Sequence, residues 1–336
     1  MDDTGTTKSI SAKQTKKAKT NRLTPVGSTE GITLDMHSGK LHAEFLLAFK
    51  SVLHLSSSNI HLVVFTNDLG KQTIQDDIMT PLIEGLEKAR ALNRTHRYVC
   101  WTPVVIQPAL VRKYIRTMGF RLWTPRWALV KPFAYSLLPP YIDWVLQLDT
   151  DVILASDILE LWNLRLRFNS SQAVGGAQEI AYIQGAKKLA NRGINVPDMS
   201  GLNSGVVLYS AHRLQALNFS HTLVLKANLR RYPTWGDPEK VDPEKYRQLD
   251  QDLYNTVLSA FPQLKYTIPL KWNLQGCGGY NRQQVLREGV GLYHFNCLRR
   301  QIDDWRTVKV LRRRLTSITL EQSVTTRFAS EVYNYY

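Results

Sequence analysis

The stretch WVLQLDTDVILASDILELW, from Trp144 to Trp162, decides how the rest of the chain is interpreted. Its first residues form an apolar run that is typical of a strand buried on both faces. The run stops at Asp149-Thr150-Asp151, and Val152-Ile153-Leu154 follow. A helix is then predicted, with Ser156 as its N-cap and Ile158, Leu161 and Trp162 at helical spacing. The pattern therefore predicts a buried strand that ends in two carboxylates.

Asp149 and Asp151 are one residue apart at this strand end. Ligands of α/β folds bind at that edge of the sheet. Because alternate residues of an extended chain point to the same side, the two carboxylates can converge on one hard divalent cation. The alternative interpretation is that Asp149 ends the strand and Asp151 solvates the turn.

The composition describes a globular chain with an excess of positive charge. The 336 residues are 43% hydrophobic and carry a formal net charge of +15. Such a charge suggests an anionic partner and keeps a nucleic-acid-binding function open. However, basic residues concentrate before residue 23 and after residue 298, outside the central pattern. We therefore expect no nucleic-acid partner.

Cysteine and hydropathy patterns say little about the compartment. Three cysteines do not make a disulfide framework, although Cys277 and Cys297 could bridge in an oxidising environment. We find no apolar run of about 18 residues and no signal peptide. Three N-x-S/T sequons, at Asn93, Asn169 and Asn218, give weak support for a lumenal location.

Strands and helices alternate along the first half of the chain. Residues 1–28 lack apolar periodicity and are predicted to be a disordered basic tail, followed by a single domain over 29–336. A helix is predicted at 41–55, a strand at 60–65, a helix at 74–92 with Pro81 as a weak point, and an edge strand at 98–106. This alternation predicts an α/β fold with a mostly parallel sheet.

Further candidate site residues surround the central motif in sequence. Lys131 lies in RWALVKPFAYSLL, where it either snorkels to water or faces a ligand phosphate. Asn203 and Gly205 belong to GLNSGVVL, where glycines let a ligand approach the backbone, although Asn203 could instead form an Asx turn. Asp250-Gln251 open a helix, where capping explains the acid but not the glutamine.

A third cluster lies near the end of the chain. Residues 290–293 predict a short strand that delivers His294, and Arg299 and Arg300 follow. A lone histidine is usually a core residue, but a histidine at a strand end beside arginines fits a metal and phosphate site.

Taken in order, these motifs resemble glycosyltransferase family 8. The resemblance covers roughly residues 45–300, and it is greatest to glucoside xylosyltransferases and to the xylosyltransferase half of LARGE-type glycosyltransferases. Its carriers are VKPFAYSLLPP, VLQLDTDVILASDILELW, GLNSGVVL, DQDLYN, PLKWN and YHFN. The resemblance implies a GT-A fold, which is Rossmann-like, with a mixed, mostly parallel sheet flanked by helices.

The resemblance also implies roles for individual residues. Asp149 and Asp151, with His294 as a third ligand, would hold Mn²⁺ or Mg²⁺ against a UDP diphosphate. Gln251 and Asp250 would lie at the donor sugar, and Lys131 would contact the donor. The remaining donor-binding positions would be Thr150, Asn203, Gly205, Arg299 and Arg300.

The implied activity is retaining transfer of a sugar, with xylose from UDP-xylose as the expected donor and a glycan or glycoprotein as the acceptor. UDP-glucose or UDP-galactose as donor, a metal-dependent nucleotidyltransferase, and an inactive UDP-binding relative remain alternatives. Two departures stand out: only GITLDMHSG occupies the place of the family's nucleotide-binding first strand, and the usual membrane anchor is missing. The chain is therefore expected to be a fragment, a divergent member, or a protein that is not retained in the Golgi in the usual way. The compartment that the family resemblance implies is the Golgi or ER lumen.

Overall fold

The computed structural model describes residues 39–92, 95, 97–117, 127–179, 201–219, 250–275, 289–295, 313, 315–317 and 322. The predicted tail at 1–28 and the pair Cys277 and Cys297 lie outside these residues. The division of the chain into a tail and one domain stays a prediction.

The first half of the described chain builds a helix-covered pair of parallel strands. Its elements are α1 (Gly39–Leu55), β1 (Ile60–Thr66), α2 (Asp68–Ile74), a π-helical turn (Gln75–Met79), α3 (Thr80–Ala91), β2 (Val99–Val105) and α4 (Pro108–Thr117). Strands β1 and β2 pair in register from Ile60 with Val99 to Thr66 with Val105. The apolar stripe of α1 is buried against them at Phe45, Phe49 and Leu53, as its spacing predicts.

The helical region after β1 begins earlier than predicted. Asn67 caps α2 by accepting a hydrogen bond from the Gly70 backbone N–H at 2.7 Å. A helix therefore already begins at Asp68 rather than at residue 74. Pro81 does not break the following helix: it lies in the first turn of α3, directly after the π-helical turn.

The second half supplies the remaining strands and short helices. These are a 3₁₀ helix (Trp127–Leu137), β3 (Trp144–Leu148), β4 (Val152–Leu154), α5 (Ile158–Asn163), a 3₁₀ turn (Leu164–Arg167), β5 (Val174–Gln178), β6 (Leu202–Ser210), α6 (Ala211–Ala216), α7 (Asp250–Ala260), a 3₁₀ turn (Pro262–Leu264), β7 (Lys265–Thr267), a 3₁₀ turn (Leu270–Trp272), β8 (Leu274–Gln275) and β9 (Leu292–His294).

The strands form a mixed α/β structure, as predicted, although fewer pairs are parallel than expected. The described strands make three sheets, β1-β2, β3-β6-β5-β7 and β4-β9-β8. Strand β6 runs antiparallel to both β3 and β5, and β4 runs antiparallel to β9. The other three pairs are parallel. Parallel pairing therefore accounts for half of the described pairs rather than most of them.

Strand β3 is only half-buried, whereas its apolar sequence predicts burial on both faces. All five of its residues have intermediate exposure. The reason is a cavity of about 670 Å³ between β1 and β3, which also reaches Asp149 and Thr150. One edge of β3 pairs with β6, and the cavity lies along the other side of the strand.

The N-cap of α5 also differs from the prediction. Asp157, not Ser156, caps the helix, with its carboxylate accepting from the Leu159 backbone N–H at 2.9 Å. The Ser156 hydroxyl instead donates to the Val290 carbonyl at 3.0 Å. A long-range contact to the strand region near β9 therefore takes the serine away from the cap.

No helix in the described part of the chain combines the length and apolarity needed to cross a bilayer. Cys100 on β2 is an exposed free thiol.

Candidate active site

Asp149 and Asp151 lie where the chain passes from β3 into β4. The Asp149 backbone N–H donates to the Gly205 carbonyl at 2.9 Å, and the Asp151 carbonyl accepts from the Phe295 N–H at 2.9 Å. The first contact fixes Asp149 to β6, and the second fixes Asp151 to the end of β9. The two carboxylates are therefore held by separate sheets on either side of Thr150, which lines the cavity.

His294 completes a three-residue cluster with these carboxylates. Pairing of β4 with β9 places His294 opposite Val152, directly after Asp151. The imidazole Nε2 is 3.4 Å from Asp151 Oδ1 and 3.8 Å from Asp149 Oδ2. One ligand atom from each residue lies within 4.8 Å of the others. The predicted convergence of residues 149, 151 and 294 is thus present in the folded chain.

The donor set fits a divalent cation. His294 is 2% exposed, and its Nε2 is buried without a hydrogen-bond partner. An unpartnered buried nitrogen is costly, and a bound cation would satisfy it. Two carboxylate oxygens and one imidazole nitrogen suit Mn²⁺ and related ions, with other positions left for water or phosphate oxygens.

Lys131 lies on the 3₁₀ helix and faces the same cluster rather than water. It is 3% exposed, so the snorkelling alternative is wrong. Its Nζ donates a hydrogen bond to Asp149 Oδ1 and lies 3.2 Å from Asp250 Oδ2. Burial lowers the pKa of Lys131, but the two carboxylates outweigh it and raise the pKa above its ordinary value. The ammonium therefore stays charged at neutral pH.

Replacing Lys131 by Met is expected to lower the free energy of unfolding by about 3 to 5 kcal/mol at pH 7, because Asp149 and Asp250 would lose their buried cation. Burial already raises the pKa of Asp149, and Lys131 opposes that increase. The loss should shrink as the pH falls, since protonated carboxyls no longer need the ammonium. Urea denaturation between pH 4 and 8 measures it.

Lys271→Met is the matched control. Lys271 pairs with Glu160 at 3.3 Å, but both side chains are partly exposed. Exposed ion pairs contribute within about 1 kcal/mol, so this variant should be nearly as stable as the wild type. Equal losses in the two variants would contradict the buried-pair argument.

Asn203, Gln251 and Glu179 form a buried polar cluster beside the cation site. Asn203 Nδ2 donates to Glu179 Oε2 at 2.6 Å, and Gln251 Nε2 donates to the same oxygen at 3.0 Å. Gln251 Oε1 accepts from the Ser204 backbone N–H at 3.0 Å. Asn203 lies within β6. The Asx-type contact also exists, because Asn203 Oδ1 accepts from the Gly205 N–H at 2.9 Å.

Gly205 is required by a close approach between β6 and His294. A Cβ at this position would lie 2.6 Å from His294 Nε2 and closer still to Cε1. Real Cβ atoms do not approach other atoms so closely. Gly205, which was predicted to let a ligand approach the backbone, thus makes room for the His294 imidazole.

Two buried residues of the site were missed by sequence reasoning. Glu179, which is 2% exposed, directly follows β5. Asn273 is fully buried, and its Oδ1 lies 2.9 Å from His294 Nδ1. The motif PLKWN contains Asn273, but only its position in the folded chain shows that it contacts His294. Arg299 and Arg300 lie outside the described residues, so their predicted phosphate contacts stay predictions.

Residues 43–297 match the family model described as Glycosyl transferase family 8. Mouse glucoside xylosyltransferase 2 is 30% identical over 164 residues, which are 46% of this chain and 35% of that protein. Rat xylosyl- and glucuronyltransferase LARGE2 is 26% identical over 243 residues, 69% of this chain and 30% of that protein. The chain thus spans about a third of the length of these relatives.

Mouse xyloside xylosyltransferase 1, in its apo form, has a similar solved structure. The TM-score is 0.56 at 18% identity, and the match covers 79% of this chain and 96% of that one. This likeness shows the GT-A fold that the motifs predict. Since the family model matches more than half of the sequence, the chain belongs to glycosyltransferase family 8.

Proposed function

We propose that this protein is a retaining, metal-dependent glycosyltransferase that moves xylose from UDP-xylose to a sugar hydroxyl of a glycan or glycoprotein, with α-linkage. The convergence of Asp149, Asp151 and His294 in a family 8 chain carries the proposal. The choice of xylose rests on relatives named as xylosyltransferases. The Golgi or ER lumen remains the expected compartment, by family resemblance.

The cation-binding role belongs to Asp149, Asp151 and His294, with Mn²⁺ or Mg²⁺ as the ion. When bound, the cation supplies positive charge that stabilises the UDP diphosphate as a leaving group. Lys131 adds a second fixed positive charge next to Asp149. Because that ammonium is buried and held by two carboxylates, it needs little reorganisation as charge develops on the phosphate.

The buried carboxylates near Gln251 are engaged by other groups, which disfavours a covalent intermediate. Asp250 lies beside Lys131, and Glu179 accepts hydrogen bonds from two amides. We therefore propose that the acceptor hydroxyl attacks the anomeric carbon from the side on which UDP leaves. The new glycosidic bond forms as the sugar–phosphate bond breaks, and the departing phosphate oxygen takes the hydroxyl proton.

Gln251→Ala is expected to lower kcat roughly 100-fold without abolishing transfer, the usual cost of one lost polar contact near a transition state. The amide has two fixed partners, so it is positioned before substrate binds. Steady-state kinetics with UDP-xylose measures the change, and Gln107→Ala, on an exposed side chain, is the control. Complete loss of turnover, or a glycosyl adduct on Asp250 in mass spectrometry, would contradict this mechanism.

A panel of nucleotide sugars tests the function itself. Purified protein is incubated with UDP-xylose, UDP-glucose or UDP-galactose, with Mn²⁺ or with a chelator, and the released sugar is quantified. We expect release of xylose from UDP-xylose that stops when the metal is chelated. Nuclear magnetic resonance of a transferred product gives the linkage through its anomeric coupling.

Each other outcome of the panel supports a different function. Preferential release of glucose or galactose keeps the reaction but changes the donor. UDP binding without release of any sugar indicates an inactive relative. Pyrophosphate release from nucleoside triphosphates indicates a nucleotidyltransferase, and RNA binding without UDP binding indicates a nucleic-acid function.

A further inference from the structure

The two nitrogens of His294 have different surroundings. Nδ1 lies 2.9 Å from Asn273 Oδ1, whereas Nε2 faces Asp149 and Asp151 without a hydrogen bond. A neutral imidazole carries its proton on one nitrogen only, and only the other can bind a cation. The position of this proton therefore decides whether the site can take a metal.

The carboxylates alone would favour the wrong tautomer. Asp151 Oδ1 lies 3.4 Å from Nε2, and Asp149 Oδ2 lies 3.8 Å from it. Two anionic oxygens on this side attract a proton to Nε2 while no cation is bound. Nε2 stays free to bind a cation only if a group on the Nδ1 side holds the proton there.

Asn273 is oriented by a second asparagine. Its Nδ2 donates to Asn203 Oδ1 at 2.9 Å, so its remaining atom, Oδ1, is the one that faces His294. A carbonyl oxygen can only accept, and His294 Nδ1 must therefore be the donor. The tautomer with the proton on Nδ1 follows from the orientation of the Asn273 amide.

Asn203 is itself fixed by two groups that cannot reverse their roles. The Gly205 backbone N–H can only donate, and it lies 2.9 Å from Asn203 Oδ1. On the other side, Glu179 Oε2 receives Asn203 Nδ2 at 2.6 Å. Rotating the Asn203 amide would place its NH₂ against the Gly205 N–H and its oxygen against the Glu179 carboxylate. A chain of hydrogen bonds runs from Glu179 through Asn203 and Asn273 to His294. The donor and the acceptor of each bond in this chain are therefore fixed.

We propose that Asn273 is a positioning residue that holds the His294 proton on Nδ1 and thereby presents Nε2 to the cation, with Asn203 and Glu179 fixing its orientation. This inference rests on the metal site of the proposed function. Asn203 and Glu179 then support the metal ligand His294 indirectly, through Asn273. Mutating residues that orient a metal ligand typically changes metal affinity by about 10- to 100-fold.

Nitrogen-15 NMR of the imidazole groups in the metal-free wild type tests the tautomer directly. The resonance of His294 is identified among the eight histidines by its loss in a His294→Gln variant. We expect a proton on Nδ1 and none on Nε2 at a pH where the ring is neutral. A proton on Nε2 in the wild type would overturn the inference without any further variant.

Asn273→Leu removes the acceptor, and Asn255→Leu is its matched control. Asn255 is also buried, and its side-chain amide bonds to the backbone N–H and carbonyl of Leu202 at 2.7 and 2.9 Å. Both variants lose a buried amide, so both should lose stability. Only Asn273→Leu should shift the His294 proton to Nε2 and weaken Mn²⁺ binding by roughly 10- to 100-fold in calorimetry.

Equal Mn²⁺ affinity in Asn273→Leu and wild type would reject the positioning role. The NMR and calorimetry experiments use no sugar donor, so their outcome is separate from that of the proposed function. An expected tautomer with no sugar release from any donor would leave the inference standing and reject the proposed transferase activity instead.

Discussion

Replacing Asp151 by Asn is expected to lower kcat at least roughly 1,000-fold and to abolish detectable Mn²⁺ binding. The substitution removes one anionic ligand while keeping the shape of the side chain. Charge stabilisation by a bound cation is worth several kcal/mol, and each 1.36 kcal/mol is a tenfold change in rate. Asp151 is chosen because replacing Asp149 would also remove the ion pair with Lys131, which adds a second effect.

The measurement combines sugar-transfer kinetics with Mn²⁺ calorimetry on protein that retains the wild-type circular dichroism spectrum. Asp157→Asn serves as the control, because asparagine also caps a helix well and Asp157 contacts backbone N–H groups of Leu159 and Ser57 outside the metal cluster. If Asp151→Asn kept more than a tenth of wild-type turnover, the acidic pair would not be the cation site.

Gly205→Ala is expected to weaken Mn²⁺ binding and lower kcat by roughly 100-fold or more. The new Cβ would occupy the space of the His294 ring, whose Nε2 would be 2.6 Å away. Because His294 is buried on β9, the ring cannot turn away freely, and a misplacement of about 1 Å can cost that much. Overpacking should also lower the free energy of unfolding by about 1–3 kcal/mol.

Gly175→Ala separates these two effects. Gly175 lies on β5, in the same sheet as Gly205 on β6. A Cβ at Gly175 would lie 2.6 Å from Cζ of Phe168, which belongs to the apolar core. We expect a similar loss of stability, with unchanged Mn²⁺ affinity in the folded protein. Chemical denaturation and calorimetry on both variants give the comparison. A parallel loss of metal affinity in Gly175→Ala would mean that general destabilisation, not the His294 contact, explains the result.

Sequence reasoning recognised the residues whose chemistry is unusual for their position. Asp149 and Asp151 interrupt an apolar strand, and Lys131 interrupts an apolar helix. Because burying an unpaired charge is costly, each of the three was expected to have an oppositely charged partner. The structure places Lys131 between Asp149 and Asp250, which meets that demand. His294 was found through its place at a strand end and through family resemblance.

Residues with ordinary local patterns were missed or misassigned. Glu179 and Asn273 differ little from loop or turn residues in sequence, and their partners are distant: Asn203 is 24 residues from Glu179 and 70 from Asn273. Serine is a favoured N-cap residue, yet Asp157 rather than Ser156 caps α5. Local propensity cannot include such long-range competition for hydrogen bonds.

The sequence by itself determined the α/β class, the family and the acidic pair at the end of β3, because periodicity and the order of motifs are local properties of the chain. The tertiary structure decided which atoms meet: the Lys131 ion pairs, the contact of Gly205 with the imidazole, and the amide chain from Glu179 to His294. Hydrogen-bond direction and close packing depend on three-dimensional distance. Residues as far apart in sequence as Asp151 and Phe295, whose backbone groups lie 2.9 Å apart, meet only after the sheets have formed.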